Sequence, residues 1–202
     1  MDTGQLKNDI FDANHPERQL KAAYQMRYAR NDPEIVHILF RACYEANRAD
    51  LQQESVRSLG VLCPERAINA FIKSTENHVA EKRMRAYYHL GTLGNPGAID
   101  VVLRGLNDPD EKVRRAAAVS AGRLGSDHRA INSLRRLLDP FEPIAVRSAA
   151  SVSVDMIKKR MNGKRTFNDK RSFNRPAGNE KRNHKGFNRS TYVPDSYTPK
   201  GF

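Results

Sequence analysis

Apolar residues recur at helical spacing along most of the chain, and the helices they predict fall into a repeating order. Ala67-Ile68, Ala98-Ile99 and Ala130-Ile131 each open a stretch with the period of an amphipathic helix, and stepping back 32 residues from Ile68 reaches Val36 in a fourth. The interval is 31 to 32 residues. Ahead of each lies another helix in which an apolar residue is followed by a base: Leu20-Lys21, Val56-Arg57, Met84-Arg85, Val113-Arg114 and Val146-Arg147. A fixed period of this length marks a helical hairpin repeated along a stack.

Boundary chemistry divides the chain at the same places. Asp32-Pro33, Asn95-Pro96 and Asp108-Pro109 put a capping side chain before a proline suited to a first helical turn. Asp108 with Glu111 predicts a capping box. Gly60, Gly94 and Gly125 follow helix-end residues and predict left-handed C-terminal caps.

The runs from Asp108-Pro109-Asp110-Glu111-Lys112-Val113-Arg114-Arg115-Ala116-Ala117-Ala118 through Leu124-Gly125, and from Met84-Arg85-Ala86 through Leu93-Gly94, resemble HEAT repeats of the short PBS-lyase HEAT-like type. The similarity spans roughly residues 15–160 and is strongest in these two units. It implies an all-α fold, an α-solenoid of about five helical hairpins over residues 1–162, with second helices lining the concave side. It implies no particular reaction.

Charge changes the picture at one end. Residues 163–202 hold ten Lys or Arg against three acids, whereas residues 1–162 hold 25 against 20, within a net charge of +12. From Gly163 the apolar period stops and Asn, Lys, Arg, Gly, Pro and Ser take over, a composition that buries too little apolar surface to offset ordering entropy. Residues 163–202 are therefore expected to form a disordered basic and aromatic tail.

Two sets of residues carry candidate binding chemistry. Counting five residues beyond the apolar anchors of the second helices gives Arg41, Lys73, Arg104 and Arg136, all basic, with Arg135 beside them; one residue beyond the anchors come His37, Asn69, Asp100 and Asn132 on the same helix face. These predict a cationic concave stripe with polar partners. In the tail, Lys164, Arg165, Phe173, Arg175, Phe187, Arg189 and Tyr192 interleave cations with rings able to stack on exposed bases. A third set, Arg57, Arg85, Arg114 and Arg147, is placed at one register of the first helices and is expected to be structural, each reaching a carboxylate or helix end of a neighbouring hairpin.

Signals for catalysis are thin. Gly91, Gly94 and Gly97 lack the strand that a phosphate-cradling loop requires, and no His pairs with a carboxylate at metal-ligand spacing, a departure from the HEAT-repeat hydroxylases. The absence of Trp departs from the HEAT-like DNA glycosylases. Cys43 and Cys63 are expected to be buried free thiols. The start of the chain carries charge where a secretory signal would be apolar, and no stretch approaches the ~20 apolar residues of a membrane span. The sequence thus predicts a cytoplasmic, non-catalytic scaffold, without cofactor, small-molecule substrate or membrane insertion, that docks on RNA or a ribonucleoprotein such as the ribosome. A protein–protein adaptor gripping an acidic peptide or helix in the groove is the alternative, and bilin-lyase-like or other small-molecule chemistry a minor one.

Overall fold

The computed structural model describes residues 3–29 and 32–173, with side chains to Gly163. A short helix, α1 (Thr3–Asp9), precedes four helical hairpins: α2 (Pro16–Met26) with α3 (Pro33–Glu45), α4 (Ala49–Leu62) with α5 (Pro64–Ser74), α6 (Ala80–Leu93) with α7 (Ile99–Arg104), and α8 (Glu111–Leu124) with α9 (His128–Arg135). A 3-10 turn on each side lengthens α7, and another follows α9. The last helix, α10 (Ile144–Phe173), stands where a fifth hairpin is expected, so the fifth unit is a single long helix among the described residues. Its backbone continues past Gly163 to Phe173, which moves the end of the helical body beyond residue 162. Residues 174–202 lie outside the described residues.

Side-chain caps start several helices. Asp32 accepts hydrogen bonds from the N–H groups of Glu34 and Ile35 at α3, and Asn95 accepts from Gly97, as their Asp-Pro and Asn-Pro signals predict. The cap of α8 differs: Asp110, not Asp108, accepts from the N–H groups of Lys112 and Val113, and the helix begins at Glu111. Asp108 instead takes two hydrogen bonds of 2.8 Å from the Arg83 guanidinium and one from the Asp110 N–H. Burial works to raise the Asp108 pKa, but these donors outweigh it and hold the carboxyl below its ordinary range. Asp110→Ala should lower stability by about 1 kcal/mol through loss of the cap. Asp108→Ala should cost about 2 kcal/mol because it strands a half-buried guanidinium. Chemical denaturation of both variants checks the order; equal losses would contradict this division of roles.

Only one of the three predicted glycine caps is left-handed: Gly94, with φ of 72°. Gly60 lies inside α4, and Gly125 ends α8 in extended conformation, where a Cβ would fall 2.6 Å from the Ala121 carbonyl oxygen. Close approach requires glycine at 125, whereas at 60 a Cβ would meet only the flexible tip of Leu93.

The stack is built along its first helices: α2 packs on α4, α4 on α6, α6 on α8 and α8 on α10. Small residues make this possible. Gly91 faces Ser120 and Gly122 faces Ser153 so closely that a Cβ on either glycine would lie 2.5 Å from the serine Oγ. Ser58 Oγ donates to the Ala23 carbonyl and Ser120 Oγ to the Tyr87 carbonyl, each at 2.7 Å, stitching one first helix to the next. A single core runs through the stack, including Met26, Leu39, Leu59, Phe71, Leu90, Val113, Leu134 and Ile157.

Among the described residues, successive second helices meet through side chains, as where Phe40 and Tyr44 of α3 pack on Phe71 of α5 and Arg129 of α9 pairs with Asp100 of α7, while their backbones stand farther apart than those of the first helices. A stack that is tight along one row and open along the other must bend toward the tight row. The first helices therefore line the inner face, and the second helices the outer one. This corrects the expectation that the second helices are concave.

Candidate binding surfaces

The second-helix cations all reach solvent. Arg41, Lys73, Arg104, Arg135 and Arg136 are exposed, as are Asn69 and Asn132. Each cation lies in the C-terminal half of its second helix or in the turn that follows, where the negative end of the helix dipole favours positive charge. Arg41 is engaged, donating to Glu45 at 2.8 Å and stacking 4.1 Å over the Phe11 ring. Lys73, Arg104, Arg135 and Arg136 have no ion pair among the described residues. Asp100, expected to accompany Arg104, is instead paired with Arg129 of the next hairpin at 2.7 Å. The set is thus a row of separate cations on the outer face, one or two for each hairpin.

Lys164, Arg165 and Phe173 fall in the part of α10 where only the backbone is described. Arg175, Phe187, Arg189 and Tyr192 lie outside the described residues.

The arginines of the first helices do not share one register. Counted from each helix start, Arg114 and Arg147 occupy the fourth position, and their counterpart in α6 is Arg83; Arg85 stands two positions later, and Arg57 later still. The fourth position has a common task. Gln52, Arg83 and Arg114 each reach back six residues to a loop carbonyl, those of Ala46, Asn77 and Asp108. Arg83 and Arg114 then extend to a carboxylate in the loop before the next first helix, Asp108 and Glu142. Arg85 donates to the Tyr44 carbonyl at the end of α3 and pairs with Glu81 of its own helix, whereas among the described residues Arg57 pairs only with Glu54 of its own helix. Arg83 escapes the apolar-then-basic pattern in the sequence; a register counted from the caps finds it.

The inner face carries a further feature. Counted from the start of each first helix, the ninth and thirteenth residues are Tyr24 and Tyr28, the latter two residues past the end of α2, then Arg57 and Val61, Tyr88 and Thr92, Val119 and Arg123, and Val152 and Met156. Tyr24, Tyr28, Val61, Val152 and Met156 are large apolar side chains left exposed. Two grooves open along this face. One, of about 550 Å³, lies between α8 and α10; the other, of about 340 Å³, runs over α4 and α6, and Arg123 borders both. A further cavity of about 610 Å³ opens beside His37, Phe40, Arg41 and Tyr44, at the start of α6.

Two buried groups could suggest chemistry but have structural surroundings. His89 Nε2 lies 3.2 Å from the Cys43 carbonyl, to which it donates, and the ring is packed against those of Tyr44 and Phe71. Burial lowers its pKa to about 4. The Cys43 thiol is pushed well above its ordinary range by burial, and half-buried Cys63 is raised for the same reason. Among the described residues no group of three His, Cys, Asp or Glu is placed to hold a metal ion, and no helix is long and apolar enough to cross a membrane.

Residues 76–153 match the family model of HEAT repeats. The fold is similar to that in the complex of CpcE and CpcF of phycocyanin lyase from a Nostoc species, with 17% identity and a TM-score of 0.50, covering 79% of this chain and 66% of that one. AlkD2 from Streptococcus mutans aligns at 17% identity with a TM-score of 0.48, covering 88% and 90% of the two chains. Human deoxyhypusine hydroxylase aligns at 18% identity with a TM-score of 0.47, covering 78% and 62%. At these identities the likeness is one of fold. No curated protein matches the chain in sequence.

Proposed function

We propose that this chain, whose residues 76–153 match the model of HEAT repeats, is a non-catalytic scaffold that docks on RNA or a ribonucleoprotein, in the cytoplasm, through the cations of its outer row and its basic C-terminal residues. The reading rests on Lys73, Arg104, Arg135 and Arg136, exposed on successive hairpins and without ion pairs among the described residues. Cations already held by carboxylates release little on meeting phosphate; unpaired ones gain a partner and displace condensed counterions. The excess of cations after residue 162 adds to the same attraction.

Reversing Lys73, Arg104 and Arg136 to Glu should weaken binding of a single-stranded RNA oligomer and flatten its salt dependence by roughly 0.7 for each phosphate no longer neutralised. Deleting residues 174–202, which leaves α10 intact, should do the same independently. Exchanging Phe173, Phe187 and Tyr192 for Leu should lower affinity by about 1–3 kcal/mol per stacked base with the salt slope unchanged. Fluorescence anisotropy across a salt series reads all three. Unaltered RNA affinity in both the charge-reversed and the truncated proteins would overturn the proposal.

A further inference from the structure

We propose that the inner groove between α8 and α10 is a docking site for an acidic amphipathic helix of a partner protein, a surface separate from the outer cations and independent of the RNA reading. Ala145, Ser148 and Ala149 line it with small side chains, and Val119, Val152 and Met156 give it apolar walls. Val152 and Met156 are 57% and 41% exposed although they sit in the middle of α10, where a solvated face would carry polar residues. Small residues along a groove between two packed helices are what lets a third helix approach to the usual ~8–10 Å.

The rim determines the charge of the occupant. Arg115 and Arg123 border the groove, neither has an ion pair among the described residues, and no acidic side chain lines it. Arg123 makes one neutral contact, a 3.3 Å hydrogen bond to the Thr92 hydroxyl. Eight residues separate the two arginines, so their α-carbons lie about 12 Å apart along α8 and match carboxylates two turns apart on a facing helix. The chain's own residues 163–202 are a poor occupant, since ten cations against three acids would meet two more cations there. RNA is disfavoured in this groove because no aromatic ring lines it to stack a base.

The test is a selection from a displayed library of helical peptides against the full chain, followed by titration of one enriched peptide. The expected sequences carry Leu, Ile or Phe at i, i+3 or i+4, and i+7, flanked by Glu or Asp. Val152→Glu, and separately Arg115→Glu with Arg123→Glu, should each weaken the peptide at least about tenfold with an unchanged thermal midpoint, these side chains being exposed or at the rim. A Lys-for-Glu version of the peptide should bind the Arg-to-Glu protein better than the parent. Peptide binding should survive the Lys73, Arg104 and Arg136 reversals that test the RNA reading, so the two can fail separately. No enriched peptide, or affinity indifferent to the groove variants, would overturn the proposal. Loss of RNA rather than peptide binding from the groove variants would overturn it too and assign the inner face to nucleic acid.

Discussion

Leu134→Asp is expected to abolish cooperative folding of the solenoid near neutral pH. Leu134 is 0% exposed in α9, within the apolar core and between the first helices α8 and α10. Burying an unpaired charge costs at least about 5 kcal/mol, comparable to the whole stability of an ordinary domain. Because each unit touches only its neighbours, the damage should spread outward from the fourth hairpin. Leu134→Ala, which leaves a cavity without a charge, should cost about 2–5 kcal/mol and keep a measurable transition. Thermal melting by circular dichroism separates the two. A Leu134→Asp protein that melts like its parent would show that α9 does not pack into the core as described.

Acid should weaken the protein through His89. Its neutral imidazole is held by burial, with the nearby Arg85 charge adding to the effect and the Cys43 carbonyl opposing it, so that it protonates only near pH 4 in the folded chain. In the unfolded chain it protonates near its ordinary 6.5. Between those values the unfolded state binds the extra proton, so stability is full above about pH 6.5 and falls as pH drops toward 4, by at most about 3 kcal/mol. His89→Gln should keep a hydrogen-bonding side chain at the Cys43 carbonyl while removing the titration. Urea denaturation at several pH values should then show a shallower decline for the variant than for the parent. Parallel declines would mean that His89 is not the group responsible.

The outer cations can be read from the sequence because each lies a fixed number of residues from an apolar anchor, and a repeat of nearly constant length preserves that spacing. Arg41 and Asp100 lie on the helices that this spacing assigns them, yet their partners, Glu45 with Phe11 and Arg129, come from the folded arrangement. The alignment of Arg57, Arg85, Arg114 and Arg147 rests on an apolar residue followed by a base, a pattern too short to survive small differences in loop length. Counting from the caps puts Arg83 in line with Arg114, and the loop-carbonyl hydrogen bond that both make supports that count.

The sequence by itself determined the helices of the first four hairpins and the repeat interval, because these depend on local propensity, capping and an apolar period that act within a few turns; it did not determine that the fifth unit is one long helix. It also determined which side chains are charged and which anchors turn inward, as with Ile131 and Leu134. Only the tertiary structure decided which row faces inward. That follows from close approaches such as Gly91 to Ser120 and Gly122 to Ser153, where the lack of a Cβ on one helix matters because of a residue about 30 positions away on another. It likewise decided that Asp108 holds Arg83 rather than capping α8, because a guanidinium offering two hydrogen bonds outweighs the single-turn signal that Asp-Pro sends along the chain.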